Sequence, residues 1–574
     1  MPPTEPDRLP ETPVLKTASD LSLDPNLSES ASSWVEATLR GLDARQKIGQ
    51  LLMPLLFSWR KDYDIERAKA QFESYEVGGA FTFGRDWKTI RAATAEVASR
   101  LKVPPLFSCD YECGPLNISD GARFGLAMTL AAVADLEEAE GLAYEVGAAS
   151  ALQGRAVGAR WTFAPVVDLS LNRHNPIVNT RSYGDEVERV RRLSIAYLKG
   201  LQAHGMAATL KHFPGDGVDG RDQHLVTTVN DLPKEDWDAT YRETFTAGIE
   251  AGASAVMMGH IALAHRSSRD ACGRLLPATM DPRMHHMLRE EFGFNGVIVS
   301  DAINMSGLSG HIGPEAERVL ANLKAGSDIV LFTSDLPAIV ERVERALEEG
   351  ELESYRLDEA VRRVLEFKAR LGLHGPDRGM TDEEAAEAMA SDRYDELACR
   401  LNERAITRIR DHRGDLPLKL EKGAKVVVCR LPLEISARND IVLGNEDAAR
   451  PRLNVFEETL QEAGYEVESV DSPNAFDAAK GTADAIIYCM EYNPEAGRGS
   501  IRPTKEAFSM VDFELFHSGR PVLFISFGSP YMAWELENAP NFLCAYAAWP
   551  VSKKTAARAV LGEIECPGRL PVRL

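Results

Sequence analysis

Fourteen residues, Lys211–His224 (KHFPGDGVDGRDQH), gather one Lys, two His, three Asp, three Gly and one Pro. They follow the apolar run AATL and open into a loop too polar and glycine-rich to be core. A strand that ends on cations and then breaks into a Gly/Asp loop is how a barrel strand presents a site at its carboxyl end. Asp222 and His224 stand two apart, so the carboxylate can orient the imidazole and raise its pKa, giving a proton donor or acceptor near neutrality. The bland alternative for such a triplet is an Asp capping a turn beside a surface His. A second run, GVIVSDAINM, ends an apolar strand on Asp301. Among Lys and Arg that carboxylate stays ionised, because nearby positive charge favours its charged form. An ionised carboxylate in a pocket can be a nucleophile, a metal ligand or an ion-pair partner. Asp110, Arg181, Lys211 and His212 are the kind of group that fixes sugar hydroxyls through charge-assisted hydrogen bonds. No metal site is expected: there is no HExxH, and only Asp222-Gln223-His224 has ligand-like spacing.

Eight short apolar runs must position these residues: IGQLLMPLLF, VGGAFTFG, PPLFSCD, RWTFAPVVDL, AATLKHF, ASAVMMGHI, GVIVSD and SDIVLF. Amphipathic segments such as WKTIRAATAEVASRL separate them. Continuous apolar runs mark strands buried on both faces, as in a parallel sheet covered by helices. Their number is that of a (β/α)8 TIM barrel, with an open doubly wound sheet as the alternative. Asp110, Lys211, His212, His260 and Asp301 each end such a run, and Arg181 lies in the loop after the fourth. All fall on the carboxyl side of their strands.

The expected organisation is a disordered tail over 1–33, a catalytic (β/α)8 barrel over 34–375, a helical linker over 376–420 and a C-terminal α/β domain over 421–574. HGPDRG (374–379) closes the first domain. In the last one, AKVVVCRLP, YEVESV, ADAIIYCMEY, RPVLFISFG and NFLCAY read as a small parallel sheet, with DAARPRLNVFEETLQEAG among its helices. There is no GxGxxG or Walker motif, so no nucleotide is expected, nor any other cofactor.

Charge and cysteine usage narrow the partners. Of the 574 residues, 44% are hydrophobic and 26% charged, as in an ordinary soluble enzyme, and the formal net charge is −22. That balance disfavours nucleic acid and anionic membrane, which need basic patches. The eight cysteines are scattered without a CxxC pair, which fits a reducing compartment. The N-terminal stretch has no apolar segment of signal-peptide type, and no run reaches the roughly 18 apolar residues of a spanning helix. A cytoplasmic monomer or homodimer is the expectation.

Taken together, the motifs resemble glycoside hydrolase family 3, and within it the two-domain form of the β-N-acetylglucosaminidase-like branch. That branch carries KHFPGHG followed by D-S-H, and Asp222 and His224 stand at the same offsets from Lys211. GVIVSD matches its GVIxSD, NPIVNTRSYGDE its NPxxxxRSFGxDP, and WTFAPVVDL its NFAPVxDV. Towards the C-terminus, FGSPYMAWEL and CPGRLPVRL are similar to FGNPYxL and PxGxLPV. The resemblance implies a retaining exo-β-glycosidase acting on a small carbohydrate with a terminal β-linked sugar, most simply a β-N-acetylhexosaminidase. It implies Asp301 as nucleophile, His224 as acid/base oriented by Asp222, and Asp110, Arg181, Lys211 and His212 as sugar-binding residues. Three motifs depart from the pattern: Asp216 stands for a His, Cys113 and Pro115 for a Gly and an Arg, and Ala302 for an Asp. The first two fall at the expected sugar pocket or its mouth, so the aglycone and the N-acetyl preference stay open. The alternatives are a β-glucosidase or β-xylosidase whose acid is a Glu of the second domain (Glu491 or Glu495), a β-glycoside phosphorylase, and a non-catalytic sugar-binding protein.

Overall fold

The computed structural model describes residues 26–58, 63–82, 84–375, 379–390, 392–432 and 454–574. The expected tail lies outside them up to residue 25, as do 376–378 of the Pro/Gly break and 447–453 of the expected DAARPRLN helix. Part of the expected tail is instead helical, since a helix spans Glu29–Gly41. Ser28 caps it by accepting the Ala31 N–H, and Val35 and Leu39 are buried on one face, so five residues read as tail are structured. This helix ends at Leu42. There Asp43 opens a second helix, Ala44–Gln50, with a capping box to Gln46.

Each of the eight apolar runs contains a strand. They are β1 (Leu52–Pro54), β2 (Gly79–Phe81), β3 (Leu106–Cys109), β4 (Trp161–Thr162), β5 (Thr209–Phe213), β6 (Ala255–Met258), β7 (Val297–Ser300) and β8 (Val330–Thr333). All but one of their residues are buried, which is why the runs are apolar throughout rather than alternating. Parallel pairing runs from each strand to the next, through single bridges such as Leu55–Phe81, Trp161–Ala207 and Val299–Ile329 where a ladder is short. Leu52 of β1 then pairs in parallel with Val330 of β8. Helices connect the strands.

Two of those helices, Leu136–Ala156 and Val187–Ala203, approach closely at glycines. A Cβ on Gly147 would lie 2.4 Å from the Tyr197 carbonyl oxygen, and one on Gly200 2.2 Å from that of Tyr144. The approach delivers the buried Tyr197 hydroxyl to the Tyr111 carbonyl and to Ser150 Oγ, which braces the chain just after β3.

The C-terminal part is a six-stranded sheet of β9 (Thr407–Asp411), β10 (Lys425–Arg430), β11 (Glu466–Val470), β12 (Ala485–Met490), β13 (Val522–Ser526) and β14 (Asn541–Cys544). Its order is β9-β14-β13-β12-β10-β11. Five strands are parallel, as the apolar runs predict; β9 is antiparallel to β14 at the edge. It comes from the segment read as a helical linker, which does form the helices Asp382–Met389 and Asp392–Ala405. TRIRD is too charged to read as a buried strand, and an edge strand tolerates such charge. The two parts meet through Tyr531, whose hydroxyl donates to the Ser170 carbonyl at 3.0 Å. They meet also through the Arg573 N–H on Asp185 Oδ2 at 2.8 Å. Among the described residues no helix is long and apolar enough to cross a membrane, and all eight cysteines are free thiols.

Candidate active site

The carboxyl ends of β3, β5 and β7 and the loop after β4 bring the expected residues together. Lys211 and His212 are the third and fourth residues of β5 and point to different partners. Lys211 Nζ lies 2.7 Å from Asp110 Oδ1 and 2.8 Å from Glu112 Oε1, just past the end of β3. Arg181 meets Glu112 with both edges of its guanidinium, Nε to Oε2 at 2.8 Å and a terminal nitrogen to Oε1 at 2.6 Å. Burial pushes the Glu112 carboxyl up, but Arg181 and Lys211 outweigh it and hold it well below the usual carboxylate range.

His212 turns to the other side. Its Nδ1 donates to Asp168 Oδ2 at 2.7 Å, and Asp168 also accepts the backbone N–H groups of His212 and Asp216. Asp168 has no solvent exposure. Asp216, where the resemblance has a His, is buried as well. Its Oδ1 accepts from Gly217 N–H at 2.6 Å and from Asn175 Nδ2 at 3.0 Å. Burial, and then the neighbouring Asp168, push its carboxyl up to about 6. Through Asn175 it also ties the Lys211 loop to the loop that carries Arg181, since Asn175 Oδ1 accepts the N–H groups of Ile177 and Val178. Cys113 and Pro115 are buried too, and burial raises the Cys113 thiol.

Asp301 follows β7. Its backbone N–H is held by the Met258 carbonyl, and its Oδ1 accepts the Ala302 N–H at 2.7 Å. Burial pushes its carboxyl up, but the imidazoles of His212, His260 and His224 and the Ala302 N–H more than offset this, so it is held below its ordinary value. Two of those imidazoles, His212 and His224, each pair through Nδ1 with an aspartate. His260 is the exception in role: fully buried, it hydrogen-bonds Thr279 Oγ1 and the Ala302 carbonyl, both at 2.9 Å, and so braces the backbone after Asp301. Burial lowers its pKa.

Asp222 and His224 face each other. His224 Nδ1 lies 2.8 Å from Asp222 Oδ1, which also accepts the His224 N–H at 2.8 Å. With Nδ1 engaged as donor, Nε2 is left to give or take a proton. The His224 carbonyl accepts the Ser306 N–H at 3.0 Å, which fastens this loop to the chain just beyond Asp301. The other Asp222 oxygen, Oδ2, accepts the Gly497 N–H at 2.8 Å, from the loop after β12. Glu491, a candidate acid of the second sheet, is instead held by Lys553 Nζ at 2.6 Å. Glu495 is buried.

Exposure separates the residues that can touch a ligand from those behind them. The Asp110 side chain is 37% exposed, that of His224 28% and that of Arg181 22%, while Lys211 retains 3% and Asp168 none. The arrangement can hold a polyhydroxylated ring by charged groups, attack it with Asp301 and move a proton at His224. All seven expected site residues lie in this cluster. Glu112 and Asp168 are the members that sequence reasoning missed. Both stand within stretches singled out for other residues: Glu112 lies two past Asp110, and Asp168 ends WTFAPVVD. Among the described residues no group of three or more His, Cys, Asp or Glu side chains could hold a metal ion.

Residues 43–367 match the profile described as the glycosyl hydrolase family 3 N-terminal domain. A "Beta-N-acetylglucosaminidase/beta-glucosidase" of Cellulomonas fimi is 30% identical over 571 residues, covering 97% of each chain. A "Beta-hexosaminidase" of Xanthomonas oryzae pv. oryzae is 36% identical over 273 residues, 44% of this chain and 76% of that one. Among solved structures, a β-glucoside phosphorylase superposes with a TM-score of 0.87 at 29% identity, over 96% of this chain and 98% of the other. A glycoside hydrolase family 3 β-N-acetylglucosaminidase from Paenibacillus sp. str. FPU-7 superposes with a TM-score of 0.77 at 26% identity, over 93% and 99%.

Proposed function

The chain belongs to glycosyl hydrolase family 3, and from that premise we propose that it is a retaining exo-β-glycosidase that removes a terminal β-linked N-acetylhexosamine. The observation that carries the reading is the pairing of an ionised, recessed Asp301 with the Asp222–His224 dyad, fastened to the segment that follows it. Asp301 attacks the anomeric carbon and displaces the aglycone, forming a glycosyl ester. His224 Nε2 protonates the departing oxygen, then takes a proton from the water that cleaves the ester. Asp222 orients the imidazole. Asp110 and Arg181 hold hydroxyls of the sugar directly. Lys211 and His212, backed by Glu112 and Asp168, complete the sugar-binding set. The unbroken circuit of parallel pairings supports a (β/α)8 barrel over 34–375 as the catalytic domain, followed by a linker over 376–420 and an α/β domain over 421–574. Because Thr407–Asp411 joins the second sheet, the linker from residue 407 onward goes with the second domain in this reading. A cytoplasmic location is in keeping with its eight free thiols and net charge of −22, and we propose a monomer or homodimer.

Phosphorolysis is the second reading. The solved β-glucoside phosphorylase covers nearly the whole chain, and an imidazole acid/base repels an incoming phosphate less than a carboxylate would. One assay tests both: release of nitrophenol from a panel of nitrophenyl β-glycosides, with and without inorganic phosphate. A preference for the N-acetylglucosaminide with free sugar as product supports hydrolysis. A phosphate-dependent rate that yields the sugar 1-phosphate replaces it by phosphorolysis. No turnover of any β-glycoside removes the reading altogether.

A further inference from the structure

Asp222 does not complete its hydrogen bonding within its own domain. Oδ1 serves His224, but Oδ2 takes the N–H of Gly497, 275 residues further along the chain. The contact is shaped on both sides. Gly497 (φ +81°) and Gly499 (φ +76°) hold left-handed backbone that a side chain would strain. Their open faces receive Leu225: a Cβ on Gly499 would lie 3.5 Å from Leu225 Cδ1, and one on Gly497 4.0 Å from Cδ2. On its opposite side the dyad loop is tied to the segment after Asp301, by Ser306 N–H on the His224 carbonyl and Thr227 Oγ1 on the Gly307 carbonyl at 2.6 Å. The backbone of the dyad loop is thus anchored to the chain bearing Asp301, while the orienting carboxylate is anchored to the loop after β12 of the second sheet.

We propose that the Gly497 N–H is a positioning group for the Asp222–His224 dyad, so that the second domain takes part in the reaction through a backbone donor rather than a side chain. The proposal rests on the reading of His224 as the acid/base. A carboxylate bound through one oxygen can still swing about its Cβ–Cγ bond; a donor on the second oxygen fixes its plane, and with it the direction of His224 Nε2. The same N–H favours the ionised form of Asp222, which burial alone would oppose.

Gly497→Pro removes the donor. Proline cannot adopt the native φ, so Gly499→Ala measures left-handed strain in the same loop with every N–H kept. The readout is kcat/KM on a glycoside with a poor leaving group against a 2,4-dinitrophenyl glycoside, whose departure needs little protonation. Gly497→Pro is expected to lose about tenfold or more on the former and under about threefold on the latter, the asymmetry of lost acid assistance. In an Asp222→Ala background the same substitution should add almost nothing, because coupled residues are non-additive. Equal losses on both substrates, or full additivity with Asp222→Ala, would make the loop a packing element and overturn the proposal. If His224→Ala itself shows no leaving-group dependence, the acid/base reading falls first and takes the proposal with it. Should Gly497→Pro fail to fold, amide hydrogen exchange in the full chain decides: the Gly497 N–H is expected to be protected and to lose that protection in Asp222→Ala. Unchanged exchange in that variant overturns the proposal.

Discussion

Arg181 and Glu112 form a two-pronged ion pair, 2.8 and 2.6 Å, whose carboxylate is shared with Lys211 at 2.8 Å. The two cations are therefore held apart and oriented by one anion before any ligand arrives. Removing either cation should weaken transition-state binding by roughly 2–4 kcal/mol, the scale of a lost buried charge-assisted hydrogen bond. Lys211→Ala and Arg181→Ala should lose kcat/KM for every accepted sugar. Glu112→Ala should lower stability by about 3–5 kcal/mol, because it leaves buried positive charge short of a partner. Kinetics of wild-type quality in all three variants would put the network outside the working site.

Asp301→Asn should abolish turnover and leave the fold intact. A carboxamide cannot supply the anionic nucleophile, yet it can still accept the Ala302 N–H that Oδ1 now takes. Thermal unfolding should match wild type, and a fluoro-sugar inactivator should label the parent protein only. More than a few per cent of residual rate on an activated aryl glycoside would contradict the assignment.

His224→Ala should slow glycosides with poor leaving groups far more than nitrophenyl glycosides, since acid–base assistance is typically worth about 10²–10⁴-fold. Added azide, a nucleophile that needs no base, should restore rate and give the β-glycosyl azide. Asp222→Ala should show a milder form of the same pattern. Glu491→Gln should not change the leaving-group dependence, because Glu491 is already engaged by Lys553. Azide rescue in Glu491→Gln or Glu495→Gln, with a uniform loss in His224→Ala, would move the acid to the second domain.

Asp216→Asn should change how stability depends on pH. The folded-state carboxyl is raised from an ordinary 3.8 to about 6, so its proton is bound more tightly folded than unfolded. Its stabilising share is complete below the unfolded pKa and is lost as pH rises through 6. The Asn oxygen can keep both contacts of Oδ1 without ever ionising. Relative to wild type, the variant should be unchanged near pH 4 and more stable by on the order of 1–3 kcal/mol above pH 7. Unfolding curves at the two pH values test this; a difference that does not vary with pH refutes it.

Local sequence determined the strands and one dyad. Each run buried on both faces had to be apolar, so the eight strands of the closed circuit in the first part and four of the five parallel strands of the second could be read directly; the parallel pair Thr228–Asn230 and Ile261–Leu263 could not, and Glu466–Val470 is an edge strand with only Val470 buried. Asp222 and His224 are two residues apart, within reach of each other in any tight loop, so their pairing was legible as well. The remaining partners were not. Glu112 finds Arg181 at a separation of 69 residues, Asp168 finds His212 at 44, and Gly497 finds Asp222 at 275. Such pairs depend on which strand ends become neighbours and on how the second sheet is set against the first. A carboxylate at a strand end announces its charge, but only the folded chain decides which cation stands opposite it. A backbone N–H announces nothing, because every residue but proline has one; tertiary structure alone aimed that of Gly497 at Asp222.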